Sequence, residues 1–96
     1  MRVELSEEAH GQVGEIDTWW RKNRPSAPDL FARELGHALT MLEETPTLGA
    51  RYDGGPKSIR RLLLRRSHYH LYFEEQLGQI FVLSVWSAHR GRAPKV

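Results

Sequence analysis

Cysteine is absent from the 96 residues, which excludes disulfides and thiolate chemistry. Long apolar runs are also missing. None approaches the ~20 residues a membrane-crossing helix needs. The opening Met1-Arg2-Val3-Glu4-Leu5 alternates polar with apolar and has no signal-peptide core, so a cytoplasmic location is expected. There is no internal repeat and no low-complexity segment. Acidic residues are scarce in one part of the chain only. Residues 1–56 carry six Lys/Arg and ten Asp/Glu, whereas residues 57–96 carry eight Lys/Arg and two Asp/Glu. The net charge of +2 therefore hides a basic second part, suited to a polyanion or an acidic partner unless it is only a solvated surface.

What is present is ordinary for one small globular domain spanning 1–96, with 40% hydrophobic and 27% charged residues. Val3 and Leu5 suit a short first strand. Ser6 is a helix N-cap, followed by Glu7 and Glu8 in a first turn that favours negative charge. Ala9, Val13, Ile16 and Trp20 then form one helical apolar stripe, weakened by Gly11 and Gly14. Asn23-Arg24-Pro25 ends it. Ser26 with Asp29 reads as a capping box for a second helix. Phe31, Leu35, Ala38 and Leu42 are its stripe, and Gly36 within it suggests a close helix crossing. Thr45-Pro46 stops that helix.

Residues 45–58 read as a loop. The run Gly54-Gly55-Pro56-Lys57-Ser58 lacks phosphate-loop spacing and does not lead from strand to helix, so it reads as a turn. Three strands follow: Ile59 to Arg65, His68 to Glu74, and the nearly all-apolar, hence central, Ile80 to Trp86. Residues 88–96 form a basic tail. The expected fold is α+β in the order β-α-α-β-β-β. A helical hairpin packs on one face of a small, mainly antiparallel sheet, and the other face displays the polar chemistry.

The opening Leu5-Ser6-Glu7-Glu8-Ala9, the hairpin Leu62 to Phe73, the strand Ile80 to Trp86 and the following His89-Arg90-Gly91-Arg92 occur here in one order. Trp19-Trp20 and Pro46-x-x-Gly49 accompany them. In this the chain resembles the RelE/ParE superfamily of toxins from bacterial type II toxin–antitoxin modules, over nearly its whole length. The resemblance implies a growth-arresting toxin neutralised by a small antitoxin that wraps around it, the pair binding its own promoter DNA. Two targets are implied: mRNA in the ribosomal A site, cut by a metal-independent mRNA interferase, or DNA gyrase, inhibited without catalysis. A third outcome is an antitoxin-binding module without toxicity. Against the nuclease pattern, the first family lysine falls at Arg61, the second at Leu63, the hairpin arginine at His70 and the late arginine near Ala88. The tail tyrosine has no match, Pro94 being nearest.

Cleaving RNA by attack of the 2′-hydroxyl needs a proton acceptor, a proton donor and cations at the phosphate. His70 and His89 are the acid–base candidates, with Arg61 completing the catalytic set. Arg65, Arg66, Arg90 and Arg92 are candidates for phosphate or target binding. The bland alternatives are a hydrogen-bonded structural His70 and a solvated His89, and strand register decides whether the two meet. His68 and His70, two apart on a strand, should share a face. With His89 they make only three nitrogen ligands, so no metal and no cofactor is expected. Of Trp19 and Trp20, one must leave the helical stripe. Packing of both against the hairpin or loop is expected, with a partner-docking anchor as the alternative.

Overall fold

The computed structural model describes residues 1–56 and 58–96. Lys57, from the Gly54–Ser58 run, lies outside the described residues. The elements are β1 (Arg2–Leu5), α1 (Glu7–Asn23), α2 (Leu30–Glu44), β2 (Ala50–Arg51), β3 (Arg60–Leu64), β4 (Tyr69–Gln76) and β5 (Gln79–Ser87). They form one five-stranded sheet in the order β1-β5-β4-β3-β2. β1 runs parallel to β5 and all other pairs are antiparallel. The α+β fold with two helices on one sheet face is as the sequence implied. The addition is β2, a two-residue edge strand inside what reads as a loop. It closes on β3 through Ala50–Arg61 and Arg51–Arg60, a ladder too short to leave a periodic signal.

The α1 stripe holds as read. Ala9 and Trp20 are buried, and Val13 and Ile16 pack against the core. Ser6 caps α1, its Oγ accepting from the Ala9 N–H at 3.0 Å. All four residues of the α2 stripe, Phe31, Leu35, Ala38 and Leu42, are buried. They meet Leu64, Leu71, Phe73, Ile80, Val82 and Val85 from the sheet.

Two helix expectations are corrected. α2 starts at Leu30, and its N-cap Asp29 makes no side-chain capping bond, so there is no capping box from Ser26. Asp29 instead pairs with Arg33 one turn on, at 3.1 Å. Gly36 is exposed, and a Cβ placed on it would meet nothing within 4 Å, so it marks no helix crossing.

The central strand carries an irregularity. Phe73 pairs with Val82 but the preceding Tyr72 pairs with Ser84, leaving Leu83 as the extra residue of a β-bulge. The bulge inverts the alternation of β5. Ile80 and Val82 face the helices before it, and Val85 after it, so Trp86 passes to the open face of the sheet. The groups released there are taken up by α1 and its cap. Ser6 Oγ donates to the Leu83 carbonyl at 3.0 Å, and Gln12 Oε1 accepts from the Val85 N–H at 2.7 Å and the Ser84 hydroxyl at 3.1 Å.

Replacing Gly36 with alanine removes backbone entropy from the unfolded chain and creates no contact. Gly36→Ala is expected to stabilise the protein by roughly 1 kcal/mol, a rise of about 4–8 °C in Tm for a domain of this size. Thermal unfolding followed by circular dichroism checks it. A fall in Tm would show that Gly36 faces a neighbour.

Candidate functional site

The β3–β4 register places Leu63 opposite His70 and Arg61 opposite Tyr72, and the β4–β5 register places Trp86 on the other side of His70. Because Leu62, Leu71 and Val85 pack against the helices, these neighbours stand on the face away from them. Arg61, Arg65 and His70, with Leu63, Gly49 and Ala50, line one open depression of about 360 Å³. Gly49 is required at its rim. Its φ is +85°, and a Cβ there would stand 2.6 Å from the Arg61 carbonyl oxygen, where β2 closes on β3. Arg60, one residue from Arg61 and so of opposite phase, donates to the Thr47 and Gly49 carbonyls and pins that rim.

Burial first, and the Arg61 charge second, hold the His70 imidazole below its usual pKa. Both disfavour the imidazolium and so favour the neutral ring, the form that can accept a proton. Three aromatic residues extend the surface. The Tyr72 ring lies 6.1 Å from His70 and meets Tyr52 edge-on at 4.9 Å. The Arg61 guanidinium lies 5.3 Å from the Tyr52 ring. The tail folds back, burying Pro94 and bringing Val96 against Gly55, next to Tyr52.

Arg90 and Arg92 reach this face through Trp86. The Arg90 guanidinium lies 4.2 Å over the indole, whose N–H donates to the Arg92 carbonyl at 2.8 Å. Of the residues singled out in the sequence, Arg61, Arg65 and His70 are thus brought together, with Arg90 and Arg92 on the neighbouring strand end. Tyr52, Tyr72 and Trp86 were not singled out. The bulge conceals Trp86, since an unbroken β5 would place it with Ile80 and Val82. Tyr52 sits in a glycine-rich loop whose course no periodicity discloses.

His89 and Arg66 lie elsewhere. The Ala88 N–H donates to the His68 carbonyl at 2.8 Å, and the His89 ring packs on His68 with centroids 4.9 Å apart. Both histidines and Arg66 line a second depression, with Trp19, Trp20 and Arg24. His70 and His89 therefore do not share a depression.

Nor do His68 and His70, contrary to the expectation from their spacing. His68 has φ +65° and belongs to the turn, so strand alternation does not apply to it. Glu34 of α2 organises this turn, accepting from the Arg66 and Ser67 N–H groups and the Ser67 hydroxyl at 2.6–2.9 Å. Burial opposes its ionisation, but these bonds and the nearby Arg66 charge outweigh that, and its pKa falls below the ordinary carboxyl value. Among the described residues, no three His, Asp or Glu side chains are grouped to hold a metal ion.

Trp20 is buried, 8% exposed, and donates its indole N–H to Tyr69 Oη at 3.2 Å. Trp19 is 44% exposed, so the expectation that both rings pack inward fails for it. The helical stripe has room for one indole, and Trp19 is on the adjoining face.

Solved structures share this architecture. A chain of the chromosomal ParDE toxin–antitoxin system of P. aeruginosa superposes with a TM-score of 0.78 at 16% identity, over 93% of this chain and 97% of that one. The isolated E. coli RelE toxin gives 0.62 at 24% identity, over 95% and 87%. A chain of the intact E. coli RelBE toxin–antitoxin complex gives 0.61 at 24%, over 93% and 98%. No family model matches the chain, and no curated protein matches it in sequence. The fold is that of the RelE and ParE toxins, as the sequence resemblance implies. No helix among the described residues is long and apolar enough to cross a membrane.

The His70 environment gives a titration with a defined sign. Because its folded pKa lies below the ordinary 6.5, the unfolded chain binds more protons, and stability is lost as pH falls from that value through the folded pKa. Arg61→Gln removes the charge but not the burial, so it is expected to raise the His70 pKa part of the way back. Proton NMR of the imidazole reads this directly. A His70 pKa unmoved by Arg61→Gln would place the guanidinium away from the ring in solution.

Proposed function

We propose that this chain is the toxin of a type II toxin–antitoxin module and arrests growth as a metal-independent, ribosome-dependent mRNA endonuclease. The observation that supports this reading is His70 sharing an open depression with two guanidinium groups, Arg61 and Arg65. In the proposed reaction His70 accepts the proton of a ribose 2′-hydroxyl as its oxygen attacks the adjacent phosphorus. Arg61 and Arg65 hold the phosphate and offset the charge gathering on its oxygens. The 5′-oxygen leaves against the same guanidinium donors and takes its proton from solvent.

Arg90 and Arg92, gathered around Trp86, extend the cationic surface along the RNA. His89 and Arg66, in the other depression, have no part in this chemistry. The partners of this reading are the ribosome with its mRNA, a cognate antitoxin, and promoter DNA reached through that antitoxin. The place of action is the cytoplasm.

One observation favours a second reading. The overall shape is closer to the ParDE chain, at a TM-score of 0.78, than to the RelE chains at 0.62 and 0.61. Under that reading the same basic face binds DNA gyrase and His70 performs no proton transfer.

His70→Ala and Arg61→Ala, both on the open face, are expected to fold normally. Each should lower cleavage of mRNA on programmed ribosomes by roughly 10²–10⁴-fold and relieve growth arrest. Primer extension across the A-site codon and colony counts after induction are the measurements. If both folded variants stay fully toxic, the nuclease site is wrong. If wild-type protein instead traps gyrase–DNA cleavage complexes, the second reading replaces the first.

A further inference from the structure

β1 stands at the end of the sheet, with β5 on one side of it and no strand on the other. In the parallel pairing with β5 the Ser6 N–H donates to the Val82 carbonyl at 2.9 Å. Backbone groups alternate sides along a strand, so Arg2, Glu4 and Ser6 turn theirs to β5, and Val3 and Leu5 turn theirs outward. Among the described residues, no side chain or loop bonds to these outward groups. The side chains of Val3 and Leu5 pack against the core under the helices, which leaves Arg2 and Glu4 on the open face. There the two are ion-paired at 2.9 Å and both remain largely solvated. β1 is therefore a free edge with one positive and one negative side chain, on either side of Val3.

We propose that this edge pairs with the same edge of a second copy of the chain, antiparallel and centred on Val3, joining the two sheets into one. Hydrogen bonding and charge select the same register. Only residues turned outward can exchange N–H···O bonds, so Val3 must face the partner's Val3 or the partner's Leu5. Val3 against Val3 sets Arg2 across from the partner's Glu4, and Glu4 across from the partner's Arg2, in the closely spaced pairs that flank the bonded one. Val3 against Leu5 instead sets Glu4 against Glu4, a like-charge contact that disfavours that register. Leu5 against Leu5 would carry Val3 past the end of the partner's strand and onto its α1. Like charges along β1 would protect the edge from pairing, whereas opposite charges two residues apart direct it. The far edge of the sheet offers no such match, since β2 and β3 carry Arg51, Arg60 and Arg61 and no carboxylate. A ladder of four residues is short against the interfaces of ~1,200 Å² or more that hold stable complexes. The dimer therefore forms and dissociates with concentration. Within it both His70 depressions open on the same side of one continuous sheet. The pairing rests on β1 and not on the toxin reading.

The test is sedimentation velocity of the full chain across a concentration series, with amide hydrogen exchange followed by NMR in the same samples. The wild type is expected to pass from monomer to dimer as concentration rises, and the Val3 and Leu5 amides to exchange more slowly as it does. Arg2→Glu opposes carboxylates on both sides of Val3, and Glu4→Arg opposes guanidiniums. Each should weaken the dimer at least tenfold, with circular dichroism unchanged. The double variant Arg2→Glu/Glu4→Arg exchanges the charges and should restore dimerisation, which separates lost pairing from lost folding. A wild type that stays monomeric throughout overturns the proposal and leaves the edge to a strand from a different protein. A dimer whose Val3 amide exchanges as in the monomer, or one that both single reversals leave intact, also overturns it and places the contact elsewhere. Failure of the double variant to recover overturns the Val3-centred register. Association is read without toxicity, so failure of the toxin reading does not touch this result.

Discussion

The bulge at Leu83 fixes which side chains of the central strand see the helices and which see solvent. β5 lies between β1 and β4, and one unpaired residue in it inverts every side chain that follows. Val85 thereby completes the core, and Trp86 is delivered to the open face beside His70. An unsatisfied bulge would be a weak point, because the backbone groups it releases are partly buried. Here Ser6 serves twice, capping α1 and donating to the Leu83 carbonyl. Gln12, in the second turn of the same helix, takes the Val85 N–H. The seating of α1 and the shape of the strand are thus one arrangement.

A second junction separates the two basic surfaces. The β3–β4 turn is held by the Glu34 carboxylate, and His68 in its left-handed conformation leaves the alternation that His70 obeys. The consecutive arginines of this segment divide at the same point. Arg65 goes to the depression with His70, and Arg66 to the groove with Trp19. A basic stretch that is continuous in sequence becomes two surfaces in space, one offering an imidazole in a depression shared with guanidiniums and the other an exposed indole. Arg90 alone among these arginines borders both.

Much of this was legible in the chain. The stripes Ala9–Trp20 and Phe31–Leu42 and the alternation from Tyr69 to Phe73 each obey a single period and stand where that period puts them, and the Ser6 cap was legible from its hydroxyl ahead of two glutamates. What escaped depends on features without a period. β2 has two residues. The bulge is visible only as a mismatch between paired strands, so the place of Trp86 was hidden. The spacing of His68 and His70 implied a shared face because the turn's positive φ leaves no mark in the sequence. Gly36 invited a packing explanation, yet it faces solvent. Within the candidate site, the company of Arg61 with His70 required the register, and the separation of His89 required the path of the chain after Ser87.

The account joins a shared toxin fold to a particular open face, and the target is where its claim is most exposed. The direct measurement is pulse-labelling of cells immediately after this chain alone is induced, comparing incorporation of labelled methionine and thymidine. The nuclease reading predicts an immediate fall in methionine incorporation while thymidine incorporation continues. An immediate fall in thymidine incorporation with protein synthesis intact would contradict it and place the action of this face at gyrase.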